Sequence, residues 1–506
     1  MSAKLDLLLI NPGSRHEIYQ GLANELAAIE PPVWAGLMAS YVRQKGLIVK
    51  ILDAEAENLG PKAVTERVAE LNPVLAAVVV YGHQPSASTQ NMAASGAICS
   101  AIKEETPDQK ILLLGGHVAA LPERTMREEK ADFACSGEGL VTLEGLVSAL
   151  KSASPNFSQV PDLWYREGGE LRSTMPVPLV KDVEQAIPGI PWEMLPMDKY
   201  RAHNWHAFDG LKRLPYAAIY TTLGCPYHCS FCCIQAPFKS GEKAAGLKES
   251  QNSYRFWSPK TVGNWLERLS KEYGVRNVKF ADEMFVLNDR HVSGICDEII
   301  RRGLDVNIWA YARVDTVRDG MAEKLKKAGF NWLAFGIEAA NARVRKDVQK
   351  GFNQEDIFRT LKHVREAGIN VIGNYIFGLP EDNMESMKET LDLAMELNCE
   401  FGNFYSAMAY PGSPLYQQAL QEGWPLPETW SGYSQHAFDS LPLPTNHLSA
   451  GEVLRFRDHA FQAYNTNPGY LAMIEKKFGA KTADHIREMT KTKLRRKHAA
   501  PDPVAA

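Results

Sequence analysis

Apolar positions along this chain fall into two alternating regimes. Through residues 4–150, short unbroken apolar runs alternate with stretches whose apolar positions recur every three or four residues. The runs are residues 5–10, 47–53, 75–81, 110–114 and 131–135. Between the first two, Trp34, Leu37, Met38, Tyr41 and Val42 have helical spacing over residues 32–45, which stop at Gly46. A strand apolar at every position is buried on both faces, as in a parallel sheet covered by helices. The pattern predicts a doubly wound parallel-sheet domain over residues 1–150. Four runs end in Asn11-Pro12-Gly13, Gly82-His83, Gly115-Gly116-His117 and Ser136-Gly137-Glu138-Gly139. Ligands of open α/β sheets bind beyond such carboxyl ends.

The same alternation returns over residues 216–415. Strand-like runs at 216–220, 278–281, 306–311, 332–337, 370–377 and 400–407 are separated by amphipathic stretches such as 259–273, with Val262, Trp265, Leu266 and Leu269 on one face. Six βα units predict a parallel (β/α)6 partial barrel with its functional residues on the loops after the strands. Residues 151–215 form a bridge interrupted by prolines, with a small hairpin at 161–173. Its aromatic and histidine-rich stretch 198–206 either closes over a site or packs between domains. Residues 416–506 predict a small, mostly helical region with helices at 450–464 and 484–497, placed to cap a substrate. The basic run Lys491, Lys493, Arg495, Arg496 and Lys497 reads as a solvated helix end, and residues 499–506 as a frayed terminus.

Composition adds limits. The chain has 506 residues, 45% hydrophobic and 23% charged, with a net charge of -4. That is an ordinary soluble globular balance, and it gives no reason to expect nucleic-acid binding. Eight cysteines in so long a chain are no disulfide framework. The first ten residues are apolar but short, carry Asp6, and read as a strand rather than a signal peptide. No apolar run approaches the ~18 residues of a membrane helix. A reducing cytoplasm is the expected location.

The chemistry concentrates in Thr221-Thr222-Leu223-Gly224-Cys225-Pro226-Tyr227-His228-Cys229-Ser230-Phe231-Cys232, a loop leaving a strand. Thiolates are soft ligands for iron–sulfur clusters and zinc. Three of them hold three irons of a [4Fe–4S] cube and leave the fourth open. The other readings are a structural zinc site and unligated core cysteines. Zinc normally wants four protein ligands, and Cys99, Cys135, Cys296 and Cys399 stand singly. Cys233 adjoins Cys232 and points elsewhere.

The C-x-x-x-C-x-x-C spacing, with Gly224 before it and an aromatic before its third cysteine, resembles the radical S-adenosylmethionine (SAM) superfamily. The glycine-punctuated N-terminal sheet resembles the cobalamin-binding domain of one large class within it. The resemblance covers roughly residues 5–415. It implies cluster ligation by Cys225, Cys229 and Cys232. It implies cofactor contacts from Asn11, Pro12, Gly82, His83, Gly115, Gly116, His117, Glu138 and Gly139 on the cobalamin side. On the SAM side it implies Phe231, Glu283 (at a Gly-Gly-Glu position without its glycines), Arg313 and Glu338, with Asn374 to Gly378 near the adenine. His83 and His117 equally read as solvated loop histidines. The D-x-H-x-x-G of histidine-ligating corrinoid domains is absent, and His16 lacks its Asp and Gly neighbours. No protein histidine is therefore expected on cobalt.

The implied activity is a cobalamin-dependent radical SAM methyltransferase. A 5′-deoxyadenosyl radical takes hydrogen from an unactivated carbon, which then captures a methyl from methylcobalamin. The implied partners are a small-molecule or biosynthetic-intermediate substrate and an electron donor such as flavodoxin or ferredoxin. The alternatives are an oxidative or ring-forming enzyme with the same cofactors, and a corrinoid-binding sensor or carrier. No residue is singled out as a catalytic acid or base.

Overall fold

The computed structural model describes residues 4–13, 20, 27–82, 84–208 and 210–499. His16 and His83 lie outside the described residues. The first sheet has seven strands: β1 (Leu7–Asn11), β2 (Val49–Asp53), β3 (Leu75–Val79), β4 (Ile111–Leu114), β5 (Phe133–Cys135), β6 (Leu163–Glu167) and β7 (Glu170–Ser173), in the order β2-β1-β3-β4-β5-β6-β7. The first five run parallel, with Leu7 opposite both Val49 and Leu75. β1, β3 and β4 are almost wholly buried because helices cover both faces. The hairpin expected in the bridge pairs antiparallel onto β5. The sheet is therefore parallel with an antiparallel edge, and its half-exposed hairpin caps the row of unpaired strand groups.

The second sheet has six parallel strands: β8 (Tyr216–Ile219), β11 (Asn277–Phe280), β12 (Asn307–Ala312), β13 (Phe330–Glu338), β14 (Asn370–Phe377) and β15 (Phe401–Ser406), neighbours in chain order. Between β8 and β11 runs a short antiparallel ribbon of β9 (Thr222–Leu223) and β10 (Arg255–Phe256). The helix Pro259–Tyr273 is capped by Ser258, ends at left-handed Gly274, and buries Val262, Trp265, Leu266 and Leu269. The intervening helices follow the same rule.

One apolar core joins both sheets. The stretch 198–206 packs rather than hinges: Trp205 sits edge-on to Trp309 and Trp332 and beside Phe401, and Tyr200 is fully buried. In the C-terminal region the helix Ala450–Asn465 appears as expected, but Pro468–Phe478 is a further helix and the last one is Ala480–Lys491. Of the basic run, Lys491 ends the helix and Lys491, Lys493, Arg495 and Lys497 are exposed as expected, while the Arg496 side chain is not. Past Lys491 the chain turns back, the Lys497 amide donates to the Phe438 carbonyl, and Arg496 is buried against Asp458. Among the described residues, no helix is long and apolar enough to cross a membrane.

Candidate active site

The cysteine loop is shaped before any ligand is considered. Gly224 takes φ 89°, and a Cβ there would strike the Ser253 carbonyl oxygen. The Cys225 amide donates to Gln235 Oε1 (2.9 Å), and Gln235 in turn donates to buried Glu242 (2.6 Å). Asn252 Nδ2 holds the carbonyls of Cys225 (2.9 Å) and Tyr227 (2.8 Å), and the Cys232 amide closes on the Cys229 carbonyl (3.1 Å). Gln235, Glu242 and Asn252 carried no recognisable sequence signal, because they act by reaching backbone groups far along the chain.

All three loop cysteines are free thiols. Burial pushes Cys225 up to about 11 and Cys232 well above the ordinary thiol value, with neighbouring cysteines and Glu283 adding to both. Such thiols stay protonated until a cation is bound, which then draws them to thiolates. Among the described residues no three such donors converge on one point. A cube does not require it, since each thiolate binds a different iron. Buried Cys233 lies beside Gly412.

Around the loop stand the three expected charges. Glu283 follows β11, and its Oε1 is buried with no hydrogen-bond partner. Burial pushes its carboxyl up to about 8; Lys279 opposes the shift and Asp282 adds to it. Asp282 is spent on the fold: it accepts from the Thr221 amide (3.0 Å) and from the hydroxyls of Thr221 (2.9 Å) and Thr222 (2.5 Å). Arg313, after β12, grips Asp315 with Nε and Nη2, both at 2.9 Å, and lies 4.0 Å over the Tyr227 ring. Its Nη1 is buried without a partner. Glu338, at the bulged end of β13 with φ 63°, is ion-paired to Lys350 at 3.0 Å, both side chains buried. Phe231 packs beside Ile376 on the apolar cluster containing Ala339 and Leu379. One unpaired carboxylate oxygen and one unpaired guanidinium nitrogen thus face a loop of three thiols, which suits a zwitterionic ligand on a cluster.

A cavity of about 1250 Å³ opens between the two sheets and the C-terminal region. Asn11, Pro12, Gly82 and Gln84 line it from the first sheet, Trp309, Tyr311 and Asn374 from the barrel, and Arg457 and Arg496 from the C-terminal region. Asn11 is fixed by Asp53 (2.7 Å), which also accepts from Tyr200 (2.7 Å) and from the Ala56 amide. Burial raises Asp53 to about 6.

On the first sheet, several of the expected contact residues already have partners in the fold, and His117 is not solvated. Glu138 has both oxygens taken by Arg255 of β10, at 2.6 and 3.2 Å, in a nearly buried ion pair joining the domains. Gly139 faces Leu114 and Met38 in the core. Gly115, at φ 150°, abuts the Val80 carbonyl, so strand packing alone demands glycine. Neither these residues nor Gly116 and His117 line the cavity. His117 is no solvated loop histidine: it is buried, with Nδ1 3.1 Å from Thr89 Oγ1 and its ring edge-on to Trp430. Burial holds it down at about 3, and Nε2 has no partner among the described residues.

Residues 219–394 match the radical SAM superfamily and residues 19–147 the B12 binding domain. An uncharacterised methyltransferase of Pyrococcus horikoshii is 28% identical over 445 residues, 87% of this chain and 89% of its own. The anaerobic magnesium-protoporphyrin IX monomethyl ester cyclase of Cereibacter sphaeroides is 27% identical over 87% of this chain and 68% of its own. Among solved structures, the radical SAM methyltransferase TsrM of Kitasatospora setae, with cobalamin and a [4Fe–4S] cluster bound, superposes with a TM-score of 0.67. It covers 96% of this chain and 100% of that one at 17% identity, which bears on the fold.

Proposed function

We propose that this chain, a radical SAM enzyme with an N-terminal B12-binding domain, is a cobalamin-dependent methyltransferase acting on an unactivated carbon of a small-molecule substrate. The observation that carries the reading is the thiol loop with the unpartnered Glu283 Oε1 and Arg313 Nη1 beside it; a separate cavity, which these residues do not line, joins the loops after β1 and β3 to the barrel interior. The cavity's volume exceeds the usual ~300–1,000 Å³ of a single-ligand pocket.

When bound, the [4Fe–4S] cluster, SAM and cobalamin supply the electron, the radical precursor and the methyl carrier. The chain's own residues have simpler tasks. Cys225, Cys229 and Cys232 offer thiolates from a loop braced by Gln235 and Asn252. Glu283 Oε1 is placed to accept from the SAM ammonium and Arg313 Nη1 to donate to its carboxylate; both atoms lack other partners. Glu338 and Phe231 shape the neighbouring wall. Asn11, Pro12 and Gly82, which line the cavity, would contact the corrin, and Trp205 of the stretch 198–206 would help exclude water from the barrel. We place the enzyme in a reducing cytoplasm, served by a flavodoxin- or ferredoxin-type electron donor.

The test is anaerobic reconstitution, reduction, and incubation with SAM and substrates suggested by neighbouring genes. Formation of 5′-deoxyadenosine with a product heavier by one methylene is the expected result. A product that has lost hydrogen without gaining carbon would favour the second reading, a ring-forming or oxidative reaction, which the likeness to the cyclase supports. Failure to cleave SAM would overturn both.

A further inference from the structure

The reading above leaves one wall of the cavity without a task. It is built by the helix Ala450–Asn465 and the segment that follows Lys491. Arg457 lines it with its side chain 6% exposed. Its Nε donates to the Phe404 carbonyl (2.7 Å) and Nη1 to Asp458 Oδ1 (2.9 Å). Nη2 donates to none of the described residues. Arg496 spends Nε and Nη2 on the same Asp458 (2.9 and 2.8 Å) and Nη1 on the Ala437 carbonyl (3.2 Å). Two guanidinium groups therefore share one carboxylate, and the trio keeps one excess positive charge.

Among the described residues, the other acidic groups lining the cavity are Glu30, Glu55 and Glu452, and none of them is ion-paired with Arg457 or Arg496. Glu30 is paired with Lys279 and accepts from Tyr216, while Glu452 caps its own helix at Ser449. Glu55 sits on the first domain, in the helix Ala54–Glu57. The rest of the guanidinium is held by the fold, so Nη2 is left on the cavity, where an anion would gain a charge-assisted hydrogen bond. Beside Arg457, Phe404, Phe456 and Phe461 line the same space.

We propose that the substrate is an organic acid with an apolar body, and that its carboxylate or phosphate group is received by Nη2 of Arg457. This rests on the reading of the cavity as the reaction chamber. The site then orients the substrate by its acidic end and presents its unactivated carbon to the barrel interior.

The test uses the reconstituted holoenzyme and three probes of one shape: phenylacetate, phenyl phosphate and the neutral phenylacetamide, titrated by calorimetry. At least one anion should bind about tenfold tighter than the amide, the value of one charge-assisted hydrogen bond. Which anion binds tighter tells carboxylate from phosphate. Arg457→Gln should erase the preference, and Asp458→Asn, which adds to the surplus charge, should widen it. Arg457→Lys keeps the charge without the fork and should retain a reduced preference, with melting temperature reporting that each variant folds. Equal binding of all three probes, or a preference unmoved by both Arg457→Gln and Asp458→Asn, would overturn the inference. Iron content, cobalamin content and 5′-deoxyadenosine formation are followed alongside. Their loss in the unaltered protein, with anion preference intact, would sink the methyltransferase reading instead.

Discussion

Glu283 and Glu338 carry the same functional group at the ends of two barrel strands, yet replacing each by Gln should have opposite consequences. Glu338 Oε1 lies 3.0 Å from Lys350 Nζ, with side chains 7% and 6% exposed. Removing one partner of a buried pair leaves an uncompensated charge, at about 3–5 kcal/mol. Gln still offers Lys350 an amide oxygen, so the lower end is expected. For a cooperative unit of this size, about 2–4 °C is lost per kcal/mol, giving a drop of roughly 6–12 °C from ~3 kcal/mol. Glu283 has no compensating cation in contact, and burial already raises its carboxyl to about 8. With its carboxyl raised to about 8, Glu283 is mostly neutral near pH 7, so Glu283→Gln exchanges one neutral group for another and the melting temperature should hold. If Glu283 accepts from the SAM ammonium, its loss should weaken SAM binding by one to two powers of ten, for a bond of ~1.5–3 kcal/mol. The assay is paired: melting of the anaerobic reconstituted variants, and SAM affinity by equilibrium dialysis. A Glu338→Gln variant that melts normally but loses SAM would refute the assignment of Glu338 to the fold. A Glu283→Gln variant with unchanged affinity and a large melting loss would refute the role given to Glu283.

Ala at Cys225, Cys229 and Cys232 together should abolish the cluster's absorbance and SAM cleavage, whereas Cys233→Ala should keep both; iron and sulfide retained in the triple variant would defeat the ligand assignment. Glu138→Gln breaks the pair with Arg255 and should lower the melting temperature while leaving cobalamin affinity unchanged; the reverse outcome would restore Glu138 to the cofactor. Cob(II)alamin bound to the protein should show no axial nitrogen from a protein histidine by electron paramagnetic resonance, and a nitrogen pattern that vanishes in His16→Ala would contradict this. Burial holds His117, His206 and His436 at about 3 and His291 at about 4. Each binds a proton less readily folded than unfolded, so stability is intact above about pH 6.5 and lost as pH falls below it, by ~1.4 kcal/mol per pH unit per proton. His206 Nε2 faces the Asn307 carbonyl, which can only accept, so Nε2 carries a proton, and burial keeps the other nitrogen unprotonated at neutral pH. His206→Asn should flatten the acid limb by one proton's share, and an unchanged limb would show that His206 is already charged.

The two sheets were legible in the sequence because their strands are apolar at nearly every position and their helices are not, a contrast that burial on both faces writes directly into the residue pattern. The cysteine loop was legible because its ligands lie within eight residues of one another. The antiparallel placement of the hairpin was not, since a half-exposed edge strand has no pattern that names its neighbour. The same limit applies to single charges. Glu138, Glu283 and Glu338 each stand at a strand end and look alike in the chain; Arg255, 117 residues from Glu138, makes the first a strut, Lys350 neutralises the third, and of the three only Glu283 has a buried oxygen without a partner. Arg496, read as part of a solvated basic tail, became a buried cavity wall once the chain doubled back on Asp458. Periodicity is a local property and survives in one dimension; whether a polar group is spent on the fold or kept for a ligand depends on partners that only the tertiary structure brings within hydrogen-bonding distance.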